Sequence, residues 1–213
     1  MTEHIPPQAD DRLSHLNKVL RTFRSITRET DQDRMLEKSC QMLTETHGYF
    51  HAWIQLTDMR EKTVKIFQAG PRGPFSSLEE KLMSGETVHC IEAALKKPGV
   101  IVIDNRHQSC QDCPFFLNYR DGHGLVSRFE YKKRVFGTLT VYSEHLFLEN
   151  PVEHEFIADV AGDIAYSLYS HEQSEIRSKE QNALQVSEER YRQLFENSAS
   201  GVAVYEAIDN GKN

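Results

Sequence analysis

No apolar run in this chain of 213 residues approaches the roughly 18 that a membrane-spanning helix needs. The longest candidates, Val100–Ile103 and Ile164–Leu168, suit a strand and one helix face. Cysteine is scarce as well. Four in the whole chain are too few for the cross-linked scaffold of a small secreted domain. Basic side chains are in deficit, 25 against 32 acidic, and a formal charge of −7 removes the default case for a nucleic-acid backbone binder. No phosphate-cradling loop is present, because Gly70-Pro71-Arg72-Gly73 is not followed by a Lys-Ser/Thr pair. Repeats and low-complexity segments are lacking too. The opening residues Met1–Asp11 are polar and acidic, with Pro6 and Pro7 among them. They read as a loose tail (1–11) and not as a signal peptide. A reduced, cytoplasmic protein is the expectation.

What is there is globular: 38% hydrophobic and 27% charged residues, in a length of one domain with some excess. Leu13, Leu16, Leu20, Phe23 and Ile26 recur at close to helical spacing. Thr30-Asp31-Gln32-Asp33 has the character of a helix start. The helix it opens carries Leu36, Cys40, Leu43 and His47 on one face, and Gly48 is placed to end it. Strand alternation follows at Phe50–Thr57, with a return at Val64–Phe67 after a polar turn. Helical patterning resumes at Leu78–Met83 and Val88–Leu95, then Val100–Ile103 forms a short buried strand. The segment Asp104–Gly124 is long and polar, a length that in a compact domain usually serves function. Leu125–Tyr131 and Arg134–Tyr142 form a second hairpin with Lys132-Lys133 at its tip. From Val152 a wide apolar face runs to Tyr169 and fades beyond Ser170.

Cys110 and Cys113 form a C-x-x-C unit. Two thiolates at this spacing can share one tetrahedral zinc, and a structural site wants four ligands. Cys90, His89, His107 and His123 are the possible partners, with zinc or iron as the metal. The same spacing also favours a redox-active dithiol. The third alternative is that the cysteines simply pack, since one unpaired C-x-x-C is an incomplete zinc pattern.

The order of helices, hairpins and long exit helix resembles a GAF domain from about Leu13 to Tyr169. The stretch Arg134-Val-Phe-Gly-Thr-Leu-Thr-Val-Tyr-Ser143 looks like that family's late strand. His89-Cys90-Ile91-Glu92-Ala93-Ala94-Leu95 followed by Cys110-Gln111-Asp112-Cys113-Pro114 resembles a subgroup from bacterial signalling proteins. Ser187-Glu-Glu-Arg-Tyr-Arg-Gln-Leu-Phe-Glu-Asn197 resembles the entry to a PAS domain, with Gly201-Val-Ala-Val-Tyr-Glu206 as its first strand. The resemblance implies an α+β fold: a central antiparallel sheet with helices on both sides and a long C-terminal signalling helix. It implies a GAF-like domain over 12–170, a helical linker over 171–186 and the truncated start of a PAS domain over 187–213. It also implies a small-molecule pocket over the sheet, with Trp53, Phe67, Val88, Ile91, Phe115 and Phe116 as candidate walls.

The function so implied is non-catalytic sensing in a signal-transduction protein of the sensor histidine kinase kind. A ligand, metal or redox event would bias the exit helix and, through it, PAS and kinase domains in the same chain. The alternative is a ligand-free dimerisation or spacer module. An enzyme acting through Cys113 finds no Cys–His–acid arrangement in the spacing. The apolar stripes suggest a homodimer built from Leu16 and Leu20 of the first helix and Ile157, Ile164 and Leu168 of the last.

Overall fold

The computed structural model describes residues 19–21, 23–27, 29–58, 60, 62–71, 73–104, 113–115, 123–143 and 150–196. Leu16, His107, Cys110, Phe116 and the segment after 196, which holds the rest of the expected PAS entry, lie outside these.

The first complete helix, α1 (Gln32–Glu45), starts at Asp31, whose carboxylate accepts the Arg34 N–H at 3.0 Å and so satisfies one of the free donors of the first turn. Two antiparallel strands follow, β1 (His51–Thr57) and β2 (Thr63–Ala69). Next come α2 (Gly73–Met83), α3 (His89–Lys96) and β3 (Val100–Asp104). The hairpin β4 (His123–Tyr131) and β5 (Arg134–Ser143) precedes α4 (Pro151–Glu196). Its two-residue turn places Lys132 and Lys133 at φ +50° and +66°, the paired left-handed conformation that matches strand twist. The sheet has five strands in the order β2-β1-β5-β4-β3, every neighbouring pair antiparallel. This is the α+β architecture expected from the sequence.

Alternation along the central strands sends successive side chains to opposite faces. Ala52, Ile54, Leu125, Leu139 and Val141 enter a first core with Met35, Leu36, Cys40 and Leu43 of α1 and Phe156, Ile157, Val160, Ile164 and Leu168 of α4. Each such large apolar side chain contributes about 1.5–3 kcal/mol on burial. Trp53, Val126 and Tyr142 enter a second core with Phe75, Leu78 and Leu82 of α2, Val88, Cys90 and Ile91 at α3, and Cys113 and Phe115.

Two expectations are corrected by the packing. Phe67 pairs in register with Ile54 and lies in the first core, on the opposite face of the sheet from Trp53, although its edge lines a cleft beside β2. Ile157, Ile164 and Leu168 are fully buried against their own sheet, and Leu20 packs on the same core, so this stripe is spent within the domain and is unavailable to a partner. The helix that opens at Pro151 runs without a break to Glu196. The chain divides after His171 into two compact units. The helical residues 172–196 of the second carry exposed Ile176, Leu184, Val186, Tyr191, Leu194 and Phe195.

Candidate functional site

The second face of the sheet is built from three cross-strand rows. His51 stands opposite Tyr142, Trp53 opposite Thr140, and Gln55 opposite Thr138; on the far side of β5 these continue to Gly124, Val126 and Arg128 of β4. On a sheet with one wet face, residues such as His51, Gln55, Thr138 and Thr140 would point to water. Here α2, α3 and the Phe115 segment cover that face, and all four are buried.

Their hydrogen-bonding capacity is largely unspent. His51 Nδ1 and Nε2, Trp53 Nε1, Gln55 Oε1, Thr138 Oγ1 and Thr140 Oγ1 are shielded from solvent without a partner. Gln55 uses its amide N–H on Thr63 Oγ1 at 2.7 Å, which leaves its carbonyl oxygen unpaired. Buried polar groups are nearly always hydrogen-bonded, and each one left unmade costs about 1–3 kcal/mol. Burial lowers the His51 pKa from 6.5 to about 4, against an opposing pull from the Gln68 side chain, so the imidazole is neutral at neutral pH.

Aromatic rings close over this row. His51 stacks on Phe75 at 4.8 Å between centroids, Trp53 lies 5.4 Å from Phe75 and 5.2 Å from Phe115, and Phe115 meets Tyr142 edge-on at 5.3 Å. Gly70, at φ +122°, lets the backbone come up to the His51 ring; a Cβ there would stand 2.7 Å from Nδ1. Arg128, opposite Thr138, donates from Nη1 to the Leu95 carbonyl at 2.9 Å and pairs through Nη2 with Glu130 at 2.6 Å, while its Nε is shielded from solvent without a partner.

Of the expected pocket residues, Trp53, Val88, Ile91 and Phe115 do come together in this core, with Cys90 and Cys113 beside them. His89 is exposed on α3. His123 shares its strand parity with Leu125, a first-core residue, so the sheet separates it from the two cysteines. Among the described residues, no three His, Cys, Asp or Glu side chains are grouped to hold a metal. Two open clefts border this region: one of about 380 Å³ beside β2, lined by Glu37, Gln41, Phe67, Gln68, Phe75 and Glu79, and one of about 170 Å³ lined by Arg128 and Gly162 among others. The sequence reading missed His51, Gln55, Thr138 and Thr140. Their signal was polar residues alternating on strands whose sheet is covered on both sides.

No protein-family model matches the chain, and no curated protein sequence does either. Solved structures do match. The free methionine-R-sulfoxide reductase of Neisseria meningitidis, determined with its substrate, is 21% identical with a TM-score of 0.59, over 81% of this chain and 99% of that one. The GAF domain of a phosphoenolpyruvate-protein phosphotransferase from Coxiella burnetii is 15% identical with a TM-score of 0.60, over 77% and 98%. A GAF domain assigned to a sensor histidine kinase of Pseudomonas syringae is 12% identical with a TM-score of 0.56, over 81% and 97%. The first unit of this chain has the fold of the GAF domains.

Proposed function

We propose that this chain is the sensory part of a signal-transduction protein, and that it binds a small molecule on the second face of its sheet without turning it over. The observation that carries this reading is the row of buried, unpartnered polar atoms on His51, Trp53, Gln55, Thr138 and Thr140 beneath aromatic rings. A pure spacer has no use for such a row, whose unmade hydrogen bonds cost stability that apolar residues would restore. A ligand that supplies the missing partners recovers that cost on binding, in an apolar site with a few converging polar groups. The signal then passes through α4 to a following PAS domain, in a protein of the histidine kinase kind, within a homodimer. The likeness to GAF domains of a sensor kinase and a phosphotransferase supports the regulatory class.

A thermal-shift screen of metabolites tests the reading. At least one compound is expected to raise the midpoint of the wild-type chain and to lose that effect in Thr140→Val. A screen without such a compound leaves the spacer reading in its place. Cys90 and Cys113, in the same core, support a second input at the cysteine loop with Cys110 and His107: zinc, iron or oxidation. Elemental analysis of untagged protein checks it, about one equivalent of metal lost in Cys113→Ser being the expected result.

A further inference from the structure

We propose that the outer edge of β2 takes up an extended peptide segment carrying two consecutive basic residues, which joins the sheet as a sixth strand.

The place follows from which residues share one cleft. The cleft of about 380 Å³ is lined by three successive residues of β2, Ile66, Phe67 and Gln68, with Glu37 of α1 and Glu79 of α2 on either side. Successive strand residues point to opposite faces, so the cleft reaches both faces of β2. Helix α1 packs on the first face and α2 on the second. The inner edge of β2 is taken by β1. The cleft therefore wraps the outer edge, as a trough with a helix on each side.

The floor of this trough is an unfinished sheet. β2 is the end strand of β2-β1-β5-β4-β3, so alternate N–H and C=O groups along Thr63–Ala69 face outward. Among the described residues, one contact beyond the β1 ladder touches this backbone: the Cys40 thiol leans on the Phe67 carbonyl at 3.5 Å. Native sheets blunt such edges with short strands, proline or free lysine. β2 has seven residues and no proline, and its one lysine, Lys65, is paired with Asp33.

Charge names the occupant. The trough presents Glu37 and Glu79 and, among its described lining residues, no cation. Neither carboxylate has an ion-pair partner, whereas Arg34 and Lys38 on α1 are both committed to Glu29. A strand laid along β2 sends neighbouring side chains alternately to the α1 side and the α2 side. Two consecutive basic residues thus meet Glu37 with one side chain and Glu79 with the next. β-branched residues around them favour the extended form. Main-chain hydrogen bonds supply the affinity, and the two carboxylates select the sequence.

The experiment uses the full chain and two fluorescently labelled hexapeptides, Thr-Val-Lys-Arg-Val-Thr and Thr-Val-Glu-Glu-Val-Thr. Fluorescence anisotropy should show saturable binding of the basic peptide and at least about tenfold weaker binding of the acidic one. Hydrogen exchange followed by NMR should slow at alternate amides within Thr63–Ala69 when the basic peptide is bound, because a joining strand closes the outward set and leaves the set facing β1 as it was. Glu37→Gln combined with Glu79→Gln keeps side-chain size. It should weaken the basic peptide about three- to tenfold and leave the thermal midpoint nearly unchanged. Equal binding of the two peptides, or no saturable binding of the basic one, would overturn the proposal. So would binding that leaves the β2 amides unprotected, which would mean charge attraction alone. Alternate β2 amides already protected without peptide, at concentrations where the chain sediments as a dimer, would give the edge to a second copy and overturn it too.

Discussion

The Nε2 of His47 lies 3.0 Å from a carboxylate oxygen of Glu153, and both side chains are sealed from solvent. Tyr49 donates its hydroxyl hydrogen to the same oxygen at 2.8 Å. His47 follows α1, Tyr49 precedes β1, and Glu153 sits in the first turn of α4, where a negative charge also complements the free N–H groups. The cluster fixes the start of the exit helix against the α1–β1 corner. Removing one member of a buried pair strands the other. Glu153→Ala should therefore cost about 3–5 kcal/mol, and Tyr49→Phe about 1–3 kcal/mol. Urea unfolding of each variant checks both values.

The unpartnered hydroxyls on the second face make an opposite prediction. Thr138→Val and Thr140→Val keep the β-branched shape that suits a strand and delete an oxygen that has no partner. Each should stabilise the ligand-free protein by about 1 kcal/mol or more. A higher thermal midpoint alongside weaker ligand binding would place the cost of the polar row with function; a lowered midpoint would mean that the hydroxyls are satisfied after all.

How far the sequence could be read depends on how local each signal is. The alternation around Ile54 and Leu139 and the helical face through Phe156, Val160 and Ile164 lie within single elements, and these were legible. Phe67 was misplaced because its face depends on hairpin register, which slips between Leu56 and Thr57. The partner of His47 lies 106 residues away, beyond any local pattern. Thr138 and Thr140 alternate with the apolar residues of β5, and alternation by itself does not single out polar side chains that a covered sheet leaves without partners. The stripe at Ile157, Ile164 and Leu168 fits a partner chain and its own sheet equally well by period alone, and only packing decides between them.

Acid should weaken the fold through His51. Its folded pKa is about 4 against 6.5 for the free imidazole, so between these values the unfolded chain binds a proton that the folded chain refuses. The stability due to the neutral ring is therefore complete above about pH 6.5. It falls as pH drops toward 4, with a slope of up to about 1.4 kcal/mol per pH unit. His51→Gln should flatten that part of the stability–pH curve, as measured by urea unfolding at several pH values. An unchanged slope would assign the acid sensitivity to other groups.

Two glycines should respond in opposite ways to alanine. At Gly137 a Cβ would stand 1.8 Å from the Gln55 carbonyl oxygen, and that backbone is held in the β1–β5 ladder. Gly137→Ala should cost several kcal/mol, on the order of 3–5, and open the sheet beside the polar row. Gly162 lies within α4 with nothing inside 4 Å of an added Cβ. There alanine lowers the backbone entropy of the unfolded chain and should stabilise by about 0.5–1 kcal/mol. Thermal unfolding of the two variants separates a close approach from an idle glycine.

Self-association should run through the end of α4 and not through the stripe first suspected. Ile157, Ile164 and Leu168 are buried in their own domain, whereas Leu184, Tyr191 and Leu194 are each more than half exposed. Tyr191 follows Leu184 by seven residues and Leu194 follows Tyr191 by three, a spacing that returns all three to one side of a helix. Leu194 and Phe195 then widen the stripe at its far end. Between them lie Ser187, Glu188 and Arg190, polar enough to flank a paired seam but unable to bury it. A second copy of the same helix, set parallel, covers each apolar residue with its own counterpart. Leu184→Glu with Tyr191→Glu should convert the dimer to monomer in sedimentation and leave the thermal midpoint of the sensory domain nearly unchanged, because neither residue touches its core. The companion substitution Ile164→Glu should unfold that domain, so the pair of variants distinguishes an interface from a core. A wild-type chain that sediments as a monomer at high concentration would remove the homodimer from the proposed mechanism.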